Sequence, residues 1–245
     1  MTDNQPGKRA MIMAAGLGQR MRPLTNGKPK PLVKVAGKPL IDYGLERLSE
    51  VGCDLAVVNV HYLPDQIEAW ARDHASPRIV ISDERQEILD TGGGIVKALP
   101  LLGSDPFFVV NSDSIWIDGD RPALQRLLAG WDGARMDCLL LLCPPERTVG
   151  YDGRGDFLTD AGGRIIGRVK PGGKGLAYIG AYLVHPRLLA DERVSKFSMN
   201  LLWDRAIAQG RLYGIEHEGR WLHVGTPEAI PLAEQALKEA LVLAR

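Results

Sequence analysis

The run Ala14-Ala15-Gly16-Leu17-Gly18-Gln19-Arg20-Met21-Arg22-Pro23-Leu24-Thr25, followed by Pro29-Lys30-Pro31-Leu32, has the residue types of a polyphosphate site. Two glycines one residue apart let backbone N–H groups close around an anion, because glycine tolerates positive φ and has no side chain to block approach. Arg20 and Arg22 add planar cationic forks suited to phosphate oxygens. Lys30 stands between two prolines, which fix its neighbours' φ and push its own backbone towards an extended form. An ammonium held this way is aimed at one point. Two other glycine motifs are excluded. A dinucleotide fingerprint fails at Met21 and at Pro23, and a P-loop fails because neither Gly16 nor Gly18 has the required continuation.

Two further stretches bear on the same chemistry. Asn111-Ser112-Asp113 closes a strongly apolar run, and a carboxylate at a strand's carboxyl end can hold a hard cation; the alternative is an ordinary turn-forming aspartate. Leu89-Asp90-Thr91-Gly92-Gly93-Gly94 places three glycines together, costly in chain entropy unless something must come close. The alternative there is a flexible helix entry capped by Thr91. His61, at a strand end, reads as a structural hydrogen-bonder.

The full run from Gly16 to Leu32 resembles the signature of the sugar-phosphate nucleotidyltransferases, G-x-G-x-R-[LM]-x-P-L-T followed by P-K-P-[LM]. The resemblance implies that Arg20 and Lys30 are catalytic and that Ala14, Ala15, Gly16 and Gly18 meet the nucleotide, with Thr91, Gly92, Gly93 and Asn111. It implies that Asp113 binds Mg²⁺ and the sugar phosphate. It also implies a sugar pocket built from Gly155, Asp156, Lys170, Gly180 and Asn200, with Lys170 meeting the sugar phosphate. Arg154, Lys170 and Lys174 are available to meet an acidic group on the sugar. Val169 stands where the family's I-x-E-K-P segment has its acid. His223, in Trp221-Leu222-His223-Val224-Gly225-Thr226, replaces the second metal-binding aspartate of W-x-D-V-G-T, so it is a candidate ligand, a phosphate donor or a bystander. Within the family, Pro29–Val33, Asp90–Pro100 and Gly153–Phe157 look most like the N-acetylmuramate 1-phosphate uridylyltransferases of cell-wall recycling. Mannose-1-phosphate guanylyl transfer is the alternative activity, and a non-catalytic nucleotide-sugar sensor is the alternative class.

These residues need a scaffold, and the sequence predicts one. Apolar runs at Ala10–Ala14, Leu55–Val60, Arg78–Ser82, Phe107–Asn111, Cys138–Leu142 and Ala177–Val184 read as strands. Helical spacing runs over Pro39–Val51, Pro64–Ala75, Gly94–Leu102 and Asn200–Gln209, with a closing helix after Thr226-Pro227-Glu228 that is regular from Pro231. The alternation implies βαβ units and an α/β fold with a mostly parallel sheet; the resemblance implies the three-layer, Rossmann-like nucleotidyltransferase fold with a mixed sheet. Ligands in such sheets bind beyond the carboxyl ends of the strands. The glycine-rich Gly150–Gly175 reads as hairpins lying over a site rather than core, part of a smaller sugar-binding lobe. One domain over 1–245 is expected, with a nucleotide-binding half to about 118 and a sugar-binding half beyond it.

Composition narrows the class. Zero formal net charge argues against a general nucleic-acid binder. Residues 1–40 nevertheless hold Lys8, Arg9, Arg20, Arg22, Lys28, Lys30, Lys34 and Lys38 against Asp3 alone, a positive funnel around the glycines. Cys53, Cys138 and Cys143 form no C-x-x-C pair and read as buried small hydrophobes. No apolar run approaches a membrane span and the N-terminus is polar. The expectation is a monomeric cytoplasmic enzyme taking a nucleoside triphosphate and a sugar 1-phosphate, without nucleic acid or membrane partners.

Overall fold

The computed structural model describes residues 6–243; Asp3, counted in the basic stretch above, lies outside them. In chain order the first half contains β1 (Arg9–Met13), the hairpin β2 (Lys34–Val35) and β3 (Lys38–Pro39), α1 (Leu40–Glu50), β4 (Leu55–Val60), α2 (Pro64–Arg72), β5 (Arg78–Asp83), α3 (Asp90–Leu102) and β6 (Phe107–Asn111). The second half adds β7 (Ser114–Ile117), α4 (Ala123–Gly130), β8 (Cys138–Cys143), β9 (Thr148–Val149), β10 (Phe157–Thr159), β11 (Ile165–Arg168), β12 (Ala177–Val184), α5 (Asn200–Ala208), β13 (Leu212–Glu216), β14 (Arg220–His223) and α6 (Ala229–Leu243).

Seven strands form the central sheet in the order β13-β8-β12-β6-β1-β4-β5. All are mutually parallel except β12, which runs antiparallel to both β6 and β8. The sheet is therefore mixed and mostly parallel, and it takes strands from both sides of residue 118. Side chains alternate across its faces with period two. Ala10, Ile12, Val58 and Val110 pack under α1, α2 and α4. Met11, Val57, Val109 and Leu140 pack under α3 and α5. Three layers result.

A third, smaller core holds the chemistry in place. Met21, Val33 and Val35 from the basic stretch pack with Ile115, Leu222 and Val224 and with Ala233 and Ala236 of α6. Ile115 and Leu222 lie on a separate three-stranded sheet of order β7-β14-β9. Its strands are too short to declare themselves by periodicity, and β13 and α4 were equally silent in the sequence.

Two helix starts differ from expectation. α3 begins at Asp90, not Gly94, so Gly92, Gly93 and Gly94 are helical. Glycine is a poor helix former, but here the surroundings demand it. A Cβ on Gly92 would collide with the Phe197 ring, and one on Gly93 with the Ser195 carbonyl. α6 begins at Ala229, ahead of Pro231, which is permissible because the first N–H groups of a helix have no intrahelical partner. The hairpin β10–β11 appears within Gly150–Gly175, but Phe157 and Ile165 are buried in the second core cluster, so this segment is partly core.

Candidate active site

The loop after β1 forms the floor of a cavity of about 420 Å³ at the carboxyl ends of the parallel strands. Ala14 donates its N–H to Asn59 Oδ1 at 2.7 Å. Gly18 takes φ 62°, and its carbonyl accepts from Thr25 Oγ1 at 2.8 Å and from the Met21 N–H at 3.0 Å. Those two bonds turn the chain back, so Ala14, Ala15, Gly16 and Gly18 all line the cavity. A Cβ at Gly16 would meet nothing within 4 Å. Packing does not require that glycine, and the space beside it is open to a ligand.

Lys30 lies on the first residue of a 3-10 turn and forms an ion pair with Asp113. Its side chain is 12% exposed and that of Asp113 is 31% exposed, so the pair is covered on one side and open to the cavity on the other. Desolvation on the covered side strengthens the attraction relative to a surface pair. Asp113 sits in the tight turn between β6 and β7. Gly180 of β12 supports that turn: it adopts φ 88°, and a Cβ there would collide with Ser114 Oγ. Gly180 lines neither cavity. Its small size makes room for Ser114 and Asn111 at that turn. Arg20 is exposed on a 3-10 turn and also lies outside the cavity lining.

His223 reaches this corner by strand pairing. β14 runs antiparallel to β7 with His223 opposite Ser114, next to Asp113. Burial pushes its imidazole below the ordinary 6.5; Asp113 opposes this, and Lys30 and Arg20 reinforce it. A neutral ring packed against Trp221 and Tyr151, with centroids at 5.0 and 6.0 Å, is the result. His223 lines neither cavity, and among the described residues no three His, Cys, Asp or Glu side chains converge as a metal cage. One carboxylate facing an anion-binding loop does suit Mg²⁺, which commonly takes one or two carboxylates and completes its shell with phosphates and water.

The Thr91–Gly94 stretch plays a different part from the one expected. Gly92 and Gly93 donate to the Phe197 carbonyl at 2.9 and 3.3 Å, Phe197 donates to the Leu89 carbonyl at 3.1 Å, and Met199 donates to Thr91 Oγ1 at 2.8 Å. The start of α3 is thus capped by the chain itself, and its free donors are consumed. Gly92 and Gly93 line neither cavity, whereas Thr91 lines both.

A second cavity of about 270 Å³ adjoins the first. Met13, Asp90, Thr91 and Asn111 belong to the walls of both. Tyr178, Tyr182 and Trp203 make an aromatic side, with ring centroids 5.0 to 6.0 Å apart. Asp156 and Asn200 line it as expected; Asp156 accepts the Tyr178 N–H at 2.8 Å. Gly155 does not line it: with φ 93°, it makes room for the Gly175 carbonyl. Lys170 does not either. The chain turns at Lys170, whose carbonyl accepts from Gly173 at 2.9 Å, and the side chain is exposed. Arg168 takes the place in the lining that Lys170 was expected to hold.

Three further polar side chains lining the larger cavity were not read from the sequence: Asn59, Glu84 and Lys196. Glu84 is 1% exposed, and its two oxygens accept from Asn59 Nδ2 at 2.7 Å and the Leu89 N–H at 3.0 Å. With the Ala14–Asn59 bond this ties the glycine loop to α3. The one available signal was polar residues at the ends of apolar strands, Asn59 inside β4 and Glu84 just after β5.

Comparison with known proteins agrees with this architecture. Residues 10–151 match the family model of the MobA-like NTP transferase domain. The chain is 47% identical to the N-acetylmuramate alpha-1-phosphate uridylyltransferase of Caulobacter vibrioides, over 97% of this chain and 100% of that protein. It is 38% identical to the enzyme of the same name from Neisseria meningitidis serogroup B, over 89% of this chain and 93% of that one. Among solved structures, HddC from Yersinia pseudotuberculosis in complex with GMP-PN shares the fold, with a TM-score of 0.74, 23% identity and coverage of 94% and 99% of the two chains. The chain is thus a nucleotidyltransferase belonging to the MobA-like NTP transferase family.

Proposed function

We propose that this enzyme transfers UMP from UTP to N-acetylmuramate 1-phosphate, releasing pyrophosphate and forming UDP-N-acetylmuramate. The observation that carries the two-substrate reading is the wall shared by the two cavities, Met13, Asp90, Thr91 and Asn111. A nucleotide in the larger cavity and a sugar in the smaller one would meet there. The choice of base and sugar follows the names of the two full-length relatives.

The chemistry asks little of proton transfer. A phosphate monoester has its second pKa near about 6, so the sugar phosphate arrives as a dianion and needs no general base. One of its oxygens forms a bond to the α-phosphorus. The bond from that phosphorus to the bridging oxygen of the β-phosphate breaks, and pyrophosphate leaves with the electron pair. The barrier lies in aligning two anions and neutralising their charge. Backbone N–H groups of the Gly16–Gly18 loop receive phosphate oxygens, Lys30 reaches the triphosphate from the covered side, and Arg20 adds field from the rim. Asp113 holds Mg²⁺, which when bound supplies further charge neutralisation. Thr91, Gly92, Gly93 and Asn111 stay assigned to the nucleotide half, residues 1 to about 118, with the two glycines acting through the placement of Thr91. Asp156, Gly155, Gly180 and Asn200 stay assigned to the sugar half.

The acceptor sugar belongs to the bacterial cell wall, so the reaction fits peptidoglycan recycling in the cytoplasm, where nucleoside triphosphates are available. Among the described residues no helix is long and apolar enough to cross a membrane, and the three buried cysteines are free thiols. The enzyme acts as a monomer, without nucleic acid. The test is pyrophosphate release with each of the four triphosphates against a panel of sugar 1-phosphates. The expected best pair is UTP with N-acetylmuramate 1-phosphate. Faster release from GTP with mannose 1-phosphate would overturn the substrate assignment and keep the reaction class.

A further inference from the structure

We propose that Arg168 recognises a carboxylate on the sugar and thereby selects an acidic sugar 1-phosphate over its neutral counterpart. The inference rests on the reading of the smaller cavity as the sugar site. Among the residues lining that cavity, Arg168 is the cation, set against the carboxylates of Asp90 and Asp156. An anionic arm is unfavourable beside either acid and favourable beside the guanidinium.

Its position suits that task. Arg168 belongs to the part of the smaller cavity that the larger one does not share. A 1-phosphate directed at the common wall of Asn111 and Thr91 puts the rest of the sugar ring, with its other substituents, towards Arg168. The guanidinium is also held ready. Nε donates to Asp204 Oδ1 at 2.6 Å, Nη2 donates to Asn200 Oδ1 at 3.0 Å, and Cζ lies 5.0 Å from the centre of the Phe157 ring. Nη1 has no hydrogen-bond partner among the described residues. A planar fork fixed on one edge and stacked on an aromatic face has little freedom left to lose, and its free Nη1 can donate to a carboxylate oxygen at low entropic cost. Neutral hydroxyls need no such group.

The other cations are placed elsewhere. Arg154, Lys170 and Lys174 line neither cavity, and Lys196 lines only the nucleotide side. The exclusion leaves Arg168.

N-acetylmuramate 1-phosphate differs from N-acetylglucosamine 1-phosphate by one lactyl ether, so the two sugars isolate the carboxylate. The experiment measures kcat/KM for both with UTP, in the parent enzyme and in Arg168→Met and Arg168→Lys. A charge-assisted bond of ordinary strength predicts that Arg168→Met lowers the acidic substrate's kcat/KM by about thirtyfold to a hundredfold. The neutral substrate's value should fall by a much smaller factor, and Arg168→Lys should restore part of the preference, because lysine keeps the charge and loses the fork. Equal losses for both sugars in Arg168→Met would make the residue structural and overturn the proposal. So would a parent enzyme that turns over both sugars equally, a result that leaves uridylyl transfer standing. A parent enzyme that turns over neither sugar would overturn the proposed function together with this inference.

Discussion

The two cavities adjoin at the ends of the central strands β1 and β6, yet they are built in opposite ways. The larger cavity is lined along one wall by an unbroken run, Met13 to Gly18, with Lys30 close behind. The smaller cavity gathers single residues from many elements, from Met13 of β1 to Trp203 of α5, with β10, β11 and β12 between them. A contiguous loop can bind any triphosphate, because backbone N–H groups and a lysine read charge. Discrimination between sugars requires walls whose chemistry can change one residue at a time, and an assembled pocket supplies them. Arg168, in the lining of the smaller cavity alone, is such a residue.

The comparison breaks most sharply at the Lys30–Asp113 pair, which lines the larger cavity alone. Lys30→Ala is expected to lower turnover on the order of a hundredfold or more while the protein stays folded, since preorganised charge acts mainly on the transition state. Asp113→Asn should abolish Mg²⁺-dependent turnover. His223→Ala should leave it measurable, within about tenfold, because the ring lines neither cavity and the Mg²⁺ shell is completed by phosphate. Steady-state kinetics with a Mg²⁺ titration decides the matter. Equal inactivity of the His223 and Asp113 variants would make the histidine a ligand.

A smaller effect should come from the sugar-side strand acting on the nucleotide side. Gly180→Ala adds a Cβ against Ser114 Oγ at a positive φ. Strain of about 1–3 kcal/mol is expected there, with displacement of the Asp113 turn. Thermal or urea denaturation should register the loss, and turnover should fall by about tenfold as the Lys30–Asp113 geometry degrades. Unchanged turnover in a destabilised variant would show that β12 supports the fold without tuning the site.

The smallest effect is a pH dependence of stability. Burial lowers the pKa of His217, whose Nε2 lies 3.0 Å from the Ile117 carbonyl, and burial does the same to His223 and His185. In each case the unfolded chain binds a proton more readily than the folded one. Stability from these groups is therefore full above their ordinary 6.5 and declines as the pH falls through that value. The urea midpoint should drop between pH 7 and pH 5, and the drop should shrink in His217→Gln. A flat midpoint over that window would contradict the assignment of these rings as buried and neutral.

Much of this architecture was legible in the residues. Apolar runs bounded by polar or turn-forming residues marked β1, β4, β6, β8 and β12, because a strand buried on both faces has no option but continuous hydrophobicity. The glycine-lysine run announced its chemistry because one short segment supplies both the loop and its cation. What the sequence hid was of two kinds. Short elements such as β7, β9 and β14 carry too few residues for periodicity to emerge, and they matter because β7–β14 pairing brings His223 beside Asp113. Glycines were legible as close approaches but not as approaches to what. Gly92 and Gly93 meet the 195–197 segment, Gly155 meets Gly175, and Gly180 meets Ser114.

By itself the sequence determined the alternation of strands and helices in the first half and the glycine-rich run with Lys30 close behind it. Each of those depends on local backbone preference or on hydrophobic runs that read the same in any context. The tertiary structure alone decided which cation lines the smaller cavity. Lys170 and Arg168 are two residues apart and chemically alike on the page; the turn at Lys170 sends one into water, and the end of β11 leaves the other in the cavity wall, held by Asp204 and Asn200. That difference arises from where a hairpin ends against α5, a contact between segments separated by over thirty residues, and no local pattern encodes it.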